Sequence, residues 1–155
     1  MNQATIESPL GPLLIVSDGD AISRIEFCSA PLTKKASDIV LKRASAQLAS
    51  YFAGTLEQFD LPLRPQGTAF QQQVWQTLAS IPFGSTTSYA DIARSIANPK
   101  GVRAVGMANS KNPLAIVIPC HRVIGANGQL TGYAGGIDKK EWLLRHEKSW
   151  PIAHG

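Results

Sequence analysis

Only two cysteines occur in the 155 residues, Cys28 and Cys120, far apart in sequence, a usage that points to free thiols in a reducing compartment. The N-terminal half has its single cysteine and no histidine, and no cluster anywhere has zinc-ligand spacing, so no metal is expected. No apolar run approaches the length needed to span a bilayer. The start of the chain has no basic, apolar and small-residue series of the secretory kind. The expectation is a cytoplasmic protein with no membrane partner. Charged residues make up 17%, too few for disorder, and hydrophobic residues 44%, enough for a core. Repeats and low-complexity segments are absent.

The net charge of +4 is modest but uneven. Residues 1–99 carry seven basic and eight acidic side chains, whereas residues 100–155 carry eight basic and three acidic. The basic set is Lys100, Arg103, Lys111, Arg122, Lys139, Lys140, Arg145 and Lys148. Positive potential in that half favours a polyanion. For Arg145 and Lys148 the preferred reading is a helix C-terminus answering its dipole.

Residues 3–8 and 13–17 read as strands around the Pro9-Leu10-Gly11-Pro12 turn, and Ile22 to Phe27 as a third with apolar residues at alternate positions, a small antiparallel meander. Lys34 to Ala53 reads as a helix with Val40, Ala44, Leu48, Tyr51 and Phe52 on one stripe and Gly54 as its stop. A Pro-, Gly- and Gln-rich linker at 61–67 suggests two lobes, 1–66 and 67–155. Thr68 is a good N-cap for a helix facing Phe70, Val74, Leu78 and Ile81 to a core. Thr87 or Ser88 can cap a third, from Tyr89 to about Ile96. Asn98-Pro99 then turns the chain into a fourth, Gly101 to about Ser110, a helix-turn-helix pattern. A loop at 132–136 precedes a last helix, capped by Asp138.

The chemistry concentrates in Ile116-Val117-Ile118-Pro119-Cys120-His121-Arg122-Val123-Ile124. Its apolar start reads as a buried strand that Pro119 stops, leaving Cys120 at a strand edge. Only a thiolate is a good nucleophile, and cationic or hydrogen-bonding neighbours raise its fraction. A lone Cys-His pair would more often be structural.

The wider series decides differently. Tyr89 is followed by Asn98-Pro99-Lys100-Gly101-Val102-Arg103-Ala104-Val105-Gly106, Asn112-Pro113, Pro119-Cys120-His121-Arg122-Val123-Ile124-Gly125, Gly132-Tyr133-Ala134-Gly135-Gly136 and Lys140-Glu141-Trp142-Leu143-Leu144-Arg145-His146-Glu147. In this order they resemble the methylated-DNA–protein-cysteine methyltransferases, the O6-alkylguanine-DNA alkyltransferases of direct DNA repair. The resemblance is dense over 68–148 and looser over 1–60, where it rests on length and on Leu48-Ala49-Ser50-Tyr51-Phe52-Ala53-Gly54.

It implies an α+β fold: a small N-terminal antiparallel sheet with a helix, a structural lobe over 1–66, then a mainly helical lobe over 67–155 that binds DNA and accepts the alkyl group. It implies a monomer that needs no cofactor. O6-alkylguanine, and O4-alkylthymine too, would be flipped from duplex DNA and the alkyl group moved irreversibly to Cys120, a single turnover. In the family His121 takes the thiol proton through a water and Glu147 orients it, the logic of a triad. Tyr89 rotates the 3′ phosphate and donates toward the leaving guanine. The second helix enters the minor groove with Val102, Ala104 and Gly106 small enough for close approach, and Arg103 fills the gap left by the flipped base. The Val123 carbonyl and amides near Tyr133, Ala134 and Gly135 read the guanine. Asn112, Pro119 and Arg122 shape the site.

Ala134 stands where some members have a serine, leaving O6 to backbone donors. Cys28 reads as inert core on a strand, and there is no four-cysteine module of the fused regulators. A non-catalytic alkyltransferase-like sensor is the alternative, but such proteins replace the cysteine. A small cysteine hydrolase rests on the Cys-His pair alone.

Overall fold

β1 (Asn2–Ile6) and β2 (Leu13–Ser17) pair antiparallel, and β2 pairs antiparallel with β3 (Ile22–Phe27) in a sheet of order β1-β2-β3. Gly11 reverses the chain between the first two, at φ 98°, where a side chain would be strained. The computed structural model describes residues 2–29 and 36–149. They form two compact units: residues to Gln66 with Pro113–Ala115, and Gly67–Asn112 with residues from Ile116 on.

In the first unit Ala4, Ile15 and Ile25 stand opposite one another and are buried. The expected alternation along β3 breaks. Ile22 and Ile25, three apart, are both fully buried, because an irregularity at Val16/Ser17 pairs Ser17 with Ile22 and leaves Ser23 without an opposite number. Such a bulge shifts the pleat by one residue. The first strand ends at Ile6, short of residue 8. Cys28 lies just past β3 and is half-buried, so it is not core.

α1 (Ile39–Phe52) starts at Asp38, whose carboxylate accepts the Leu41 amide and also bonds Ser17 and Asn2. Its buried face is Val40, Leu41, Ala44, Leu48 and Tyr51, with Phe52 half-buried. The expected start at Lys34 lies outside the described residues. The outer edge of β3 is covered by short parallel bridges, Ile22 to Leu63 and Ile25 to Leu114, which occupy edge groups that would otherwise invite pairing. The second bridge draws Pro113–Ala115 out of the run expected at 67–155: Ile25 N donates to Pro113 O (2.9 Å) and Ala115 N to Ile25 O (3.0 Å).

The second unit opens with α2 (Ala69–Ala79). Thr68 and Gln71 cap it reciprocally: each side-chain oxygen accepts the other's amide, at 3.1 and 2.9 Å. Its buried face is Val74, Trp75 and Leu78. Trp75 rather than Phe70 is the large residue there, since its indole N–H reaches Ala108 O (2.9 Å) and satisfies its one polar atom. β4 (Thr87–Ser88) pairs parallel with β5 (Val123–Ile124). Ser88 also caps α3 (Tyr89–Ser95), accepting Asp91 N. α4 (Val102–Ser110) follows, and α5 (Ile137–His146) closes the unit. Asp138 does not cap α5. Gly136 holds that position at φ 102° without a side-chain bond, and Asp138 sits in the first turn, where its charge still meets the helix dipole favourably.

α3 ends with Ala97 left-handed at φ 58° and Asn98 N bonded to Ala93 O, a stop that glycine usually supplies. The left-handed conformation costs a non-glycine residue about 1–2 kcal/mol. The extra freedom of glycine in the unfolded chain costs roughly 0.4–1 kcal/mol. Ala97→Gly is therefore expected to stabilise the protein by a few tenths to about 1 kcal/mol. Denaturant titration checks this, and a loss of stability would contradict it.

Candidate active site

The apolar run before the thiol is not a strand. Residues 115–118 are turn and bend, with Ile116 at φ 73°. Asn112 closes the turn, donating from Nδ2 to Ile118 O (2.7 Å). Ile116 and Ile118 are nonetheless buried. Short apolar runs signal burial without saying which backbone achieves it. Cys120 is then the first residue of a 3-10 turn, Cys120–Arg122, instead of a strand edge, and only 7% of it is exposed. Pro119 precedes it, also buried.

His121, Arg122 and Glu147 form one buried cluster. Glu147 follows directly on α5 as its C-cap. Its Oε2 bonds His121 Nε2 (2.8 Å) and accepts Arg122 Nη2 (3.1 Å), and its Oε1 accepts Arg122 Nε (2.7 Å). Arg122 also donates from Nη1 to Ile81 O (2.6 Å) and lies over the Phe83 ring. The carboxylate side with Nε2 requires that nitrogen to carry the hydrogen, leaving Nδ1 as a bare acceptor. Nδ1 is buried with no hydrogen-bond partner among the described residues.

Burial decides the thiol and the imidazole, and hydrogen bonds and charge decide the carboxylate. Burial pushes the Cys120 thiol up, against a hydrogen bond from Asn112 and the charge of Lys140, so the thiol rests protonated at neutral pH rather than pre-ionised by its neighbours. It pushes His121 down, outweighing Glu147, so the imidazole rests neutral. For Glu147 burial is outweighed by the bonds and charges of His121 and Arg122, which hold the carboxyl down at about 2. While the imidazole is neutral, Arg122 supplies the charge in that balance.

Lys140, which the sequence places only in the basic set of the C-terminal half and in the ordered series, has a role in the site. It is fully buried, donating from Nζ to Val123 O (2.6 Å) and Thr131 O (3.0 Å). Burial lowers it to about 8. One signal for it existed: Lys140, Leu143 and Leu144 share the buried stripe of α5, and Glu147 extends the same spacing just past its end.

A cavity of about 530 Å³ lies beside α3, α4 and the 131–134 loop. Tyr89 lines it, as do Val102, Gly106 and Ser110 of α4 and Thr131 to Ala134 of the loop. Tyr89, half-buried, shares a 2.7 Å hydrogen bond with Thr131 Oγ1. Tyr133 is half-buried, and burial of its hydroxyl pushes the phenol well above its ordinary value. Cys120, Val123 and Gly135 are not in the lining. Arg103 and Ala104 lie exposed on α4, with Met107 beside them at 68% exposure. Thr131, Ser110 and Phe83 are further residues that the sequence reading did not single out. Among the described residues no group of His, Cys, Asp and Glu could hold a metal ion, and no helix is long and apolar enough to cross a membrane.

His121 and Glu147 both bind protons less readily in the folded chain than in the unfolded one, so the unfolded state gains protons first as pH falls. Thermal stability is expected to drop below about pH 6.5 as His121 charges in the unfolded chain, and again between about 4.5 and 2 through Glu147. Melting curves from pH 8 to 3 check this, and a midpoint that stays level through pH 5 would remove the depressed imidazole.

The chain matches two family models. Residues 1–65 match the 6-O-methylguanine DNA methyltransferase, ribonuclease-like domain, and residues 69–149 the 6-O-methylguanine DNA methyltransferase, DNA binding domain. The methylated-DNA–protein-cysteine methyltransferase of Methanosarcina acetivorans is 48% identical over 155 residues, covering 96% of this chain and 99% of that protein. The constitutive one of Bacillus subtilis is 46% identical, covering 93% of each. The crystal structure of Mycobacterium tuberculosis OGT in complex with DNA superposes with a TM-score of 0.88 at 46% identity, over 96% of this chain and 94% of that one. Matched over more than half its length and nearly half identical to full-length relatives, the chain belongs to the methylated-DNA–protein-cysteine methyltransferase family.

Proposed function

We propose that the protein repairs DNA directly: it draws O6-alkylguanine, and O4-alkylthymine, out of duplex DNA and takes the alkyl group onto Cys120. The observation that carries this reading is the buried Cys120 thiol followed at once by a neutral imidazole whose tautomer is fixed by an ionised carboxylate. The thiol proton passes to His121 Nδ1, through a bridging water as in the family. Glu147, ionised down to about pH 2, stabilises the imidazolium that results. Sulfur bonds the alkyl carbon as the carbon–oxygen bond breaks, and the electron pair leaves on the O6 of guanine. Tyr89 donates toward the departing base, which makes it a better leaving group. The product is a thioether, outside the readily reversed thiol modifications, so each molecule acts once.

The target base must leave the stack to reach a buried sulfur. Residues 67–155 serve as the DNA-binding and alkyl-acceptor lobe and residues 1–66 as its structural companion. α4 presents Val102, Ala104 and Gly106 to the minor groove, and Arg103 takes the place of the extruded nucleotide. A methyl group added at Gly106 would make only an ordinary contact, 3.9 Å from the Tyr89 ring. Nothing inside the fold therefore demands glycine there, whereas a groove wall would. The amides around Tyr133 and Ala134 recognise guanine in the cavity, the Val123 carbonyl, bonded by Lys140, and Gly135 stand behind that lining, and Asn112, Pro119 and Arg122 hold the turn. The protein works as a cytoplasmic monomer without a cofactor.

Intact-mass measurement after incubation with a duplex holding one O6-methylguanine tests the reading. A gain of one methylene per chain, mapped to Cys120 and absent in Cys120→Ala, is expected, with the variant still binding the lesion. Tight binding without mass gain would make the protein a lesion sensor instead. Arg103→Ala is expected to slow repair of duplex far more than reaction with free O6-methylguanine, by about tenfold or more if one charged contact to DNA is lost. Equal slowing on both substrates would remove its role in extrusion.

A further inference from the structure

Thr131 is reached from two sides. Its hydroxyl lies 2.7 Å from the Tyr89 phenol oxygen, across 42 residues of sequence, and both side chains line the cavity. Its carbonyl accepts the buried Lys140 ammonium at 3.0 Å. The same ammonium donates to Val123 O at 2.6 Å, and Val123 is the β5 residue opposite Thr87, two before Tyr89. The contacts close a ring: Tyr89 to Thr131, Thr131 to Lys140, Lys140 to Val123, Val123 to Thr87, and back along the chain through Ser88 to Tyr89. Every residue of the ring is buried or half-buried.

We infer that Thr131 is a positioning residue for Tyr89: its hydroxyl, fixed through its own carbonyl by Lys140, aims the phenol into the cavity. The inference rests on the reading above, in which Tyr89 serves the departing base.

The donor inventory shows how. A threonine hydroxyl has one hydrogen and two lone pairs, and the phenol has one hydrogen. With a base in the cavity, Thr131 donates to the phenol oxygen and leaves the phenol hydrogen for the base. Accepting that bond also polarises the phenol and strengthens its own donation. With the cavity empty, either hydroxyl can donate to the other and the 2.7 Å bond is kept. Without the threonine hydroxyl the phenol hydrogen is free to rotate toward water, and only a fraction of molecules hold it on the base. Lys140 matters because an unanchored Thr131, on a loop, would follow the phenol instead of directing it.

Single-turnover kinetics on an O6-methylguanine duplex, over a range of concentrations of the full chain, separate half-saturation from the limiting rate. Thr131→Val removes the hydroxyl while keeping the shape. It is expected to lower the limiting rate about tenfold, as for one lost hydrogen bond, with half-saturation unchanged. Thr131→Ser is expected to restore it. Tyr89→Phe is expected to be slower still, about a hundredfold below the parent, and adding Thr131→Val to it to change nothing further. An unchanged rate in Thr131→Val, no rescue by serine, or an equal loss in the Tyr89→Phe background would overturn this inference alone. A Tyr89→Phe variant as fast as the parent would overturn it together with the role given to Tyr89.

Discussion

A carboxylate buried away from water is unstable unless cations and donors surround it, and Glu147 is such a group at the end of α5. Arg122 takes both of its oxygens and His121 one of them. Because both partners belong to the short turn that begins at Cys120, the carboxylate ties that turn to α5. Through Arg122 and the Ile81 carbonyl it ties the same turn to the chain leaving α2. Among the described residues the thiol has no ion pair of its own. Its place is set by Asn112 before it and by the two residues after it, and the need to satisfy one buried charge holds those two in place.

The phenol side is built from weaker parts. A two-residue parallel pairing, β4 with β5, fixes where α3 begins and therefore where Tyr89 stands. A pairing so short would be marginal alone. Here its first residue on β5, Val123, also receives the Lys140 ammonium, and its last on β4, Ser88, is a helix cap. α4 supplies the opposite quality. Small or exposed side chains cover its outer face, while Val105, Ala108 and Asn109 hold it inward. One wall of the cavity is stiffened by buried polar bonds and the other is shaped to be approached.

Local signals in the sequence carried much of this. Thr68, Ser88 and Gly54 mark helix ends by chemistry that acts over three or four residues, and the stripe of α1 repeats at helical spacing. The ordered series from Tyr89 to Glu147 carried the family. What was not legible depends on contacts distant along the chain. A bulge set by pairing decides the phase of β3. The Ile116–Ile118 run is apolar in a strand or a turn alike, and the turn it adopts is closed by the Asn112 bond to Ile118. Trp75 was passed over because its partner is a carbonyl on another helix. Lys140 reads as one of the basic set until the carbonyls of Val123 and Thr131 are brought to it. The direction of the thiol's acidity also needed the fold, because neighbours in sequence suggested ionisation and burial opposes it.

Between Asn112 and Cys120 the chain leaves one unit for three residues and returns. Pro113–Ala115 makes its backbone bonds to Ile25, and Leu114 is wholly buried there. The two units are therefore not beads on a thread that a protease or a cloning boundary at Gln66–Gly67 could part cleanly. A fragment starting at Gly67 would carry Leu114 bare into water, with two backbone groups stripped of their partners, a few residues before the thiol. Ile25 supplies the backbone partner for the stretch of chain that leads to the thiol. Modularity in this protein runs by surface and not by segment, and any transplant of the reactive lobe would have to bring Ile25 or a substitute edge with it.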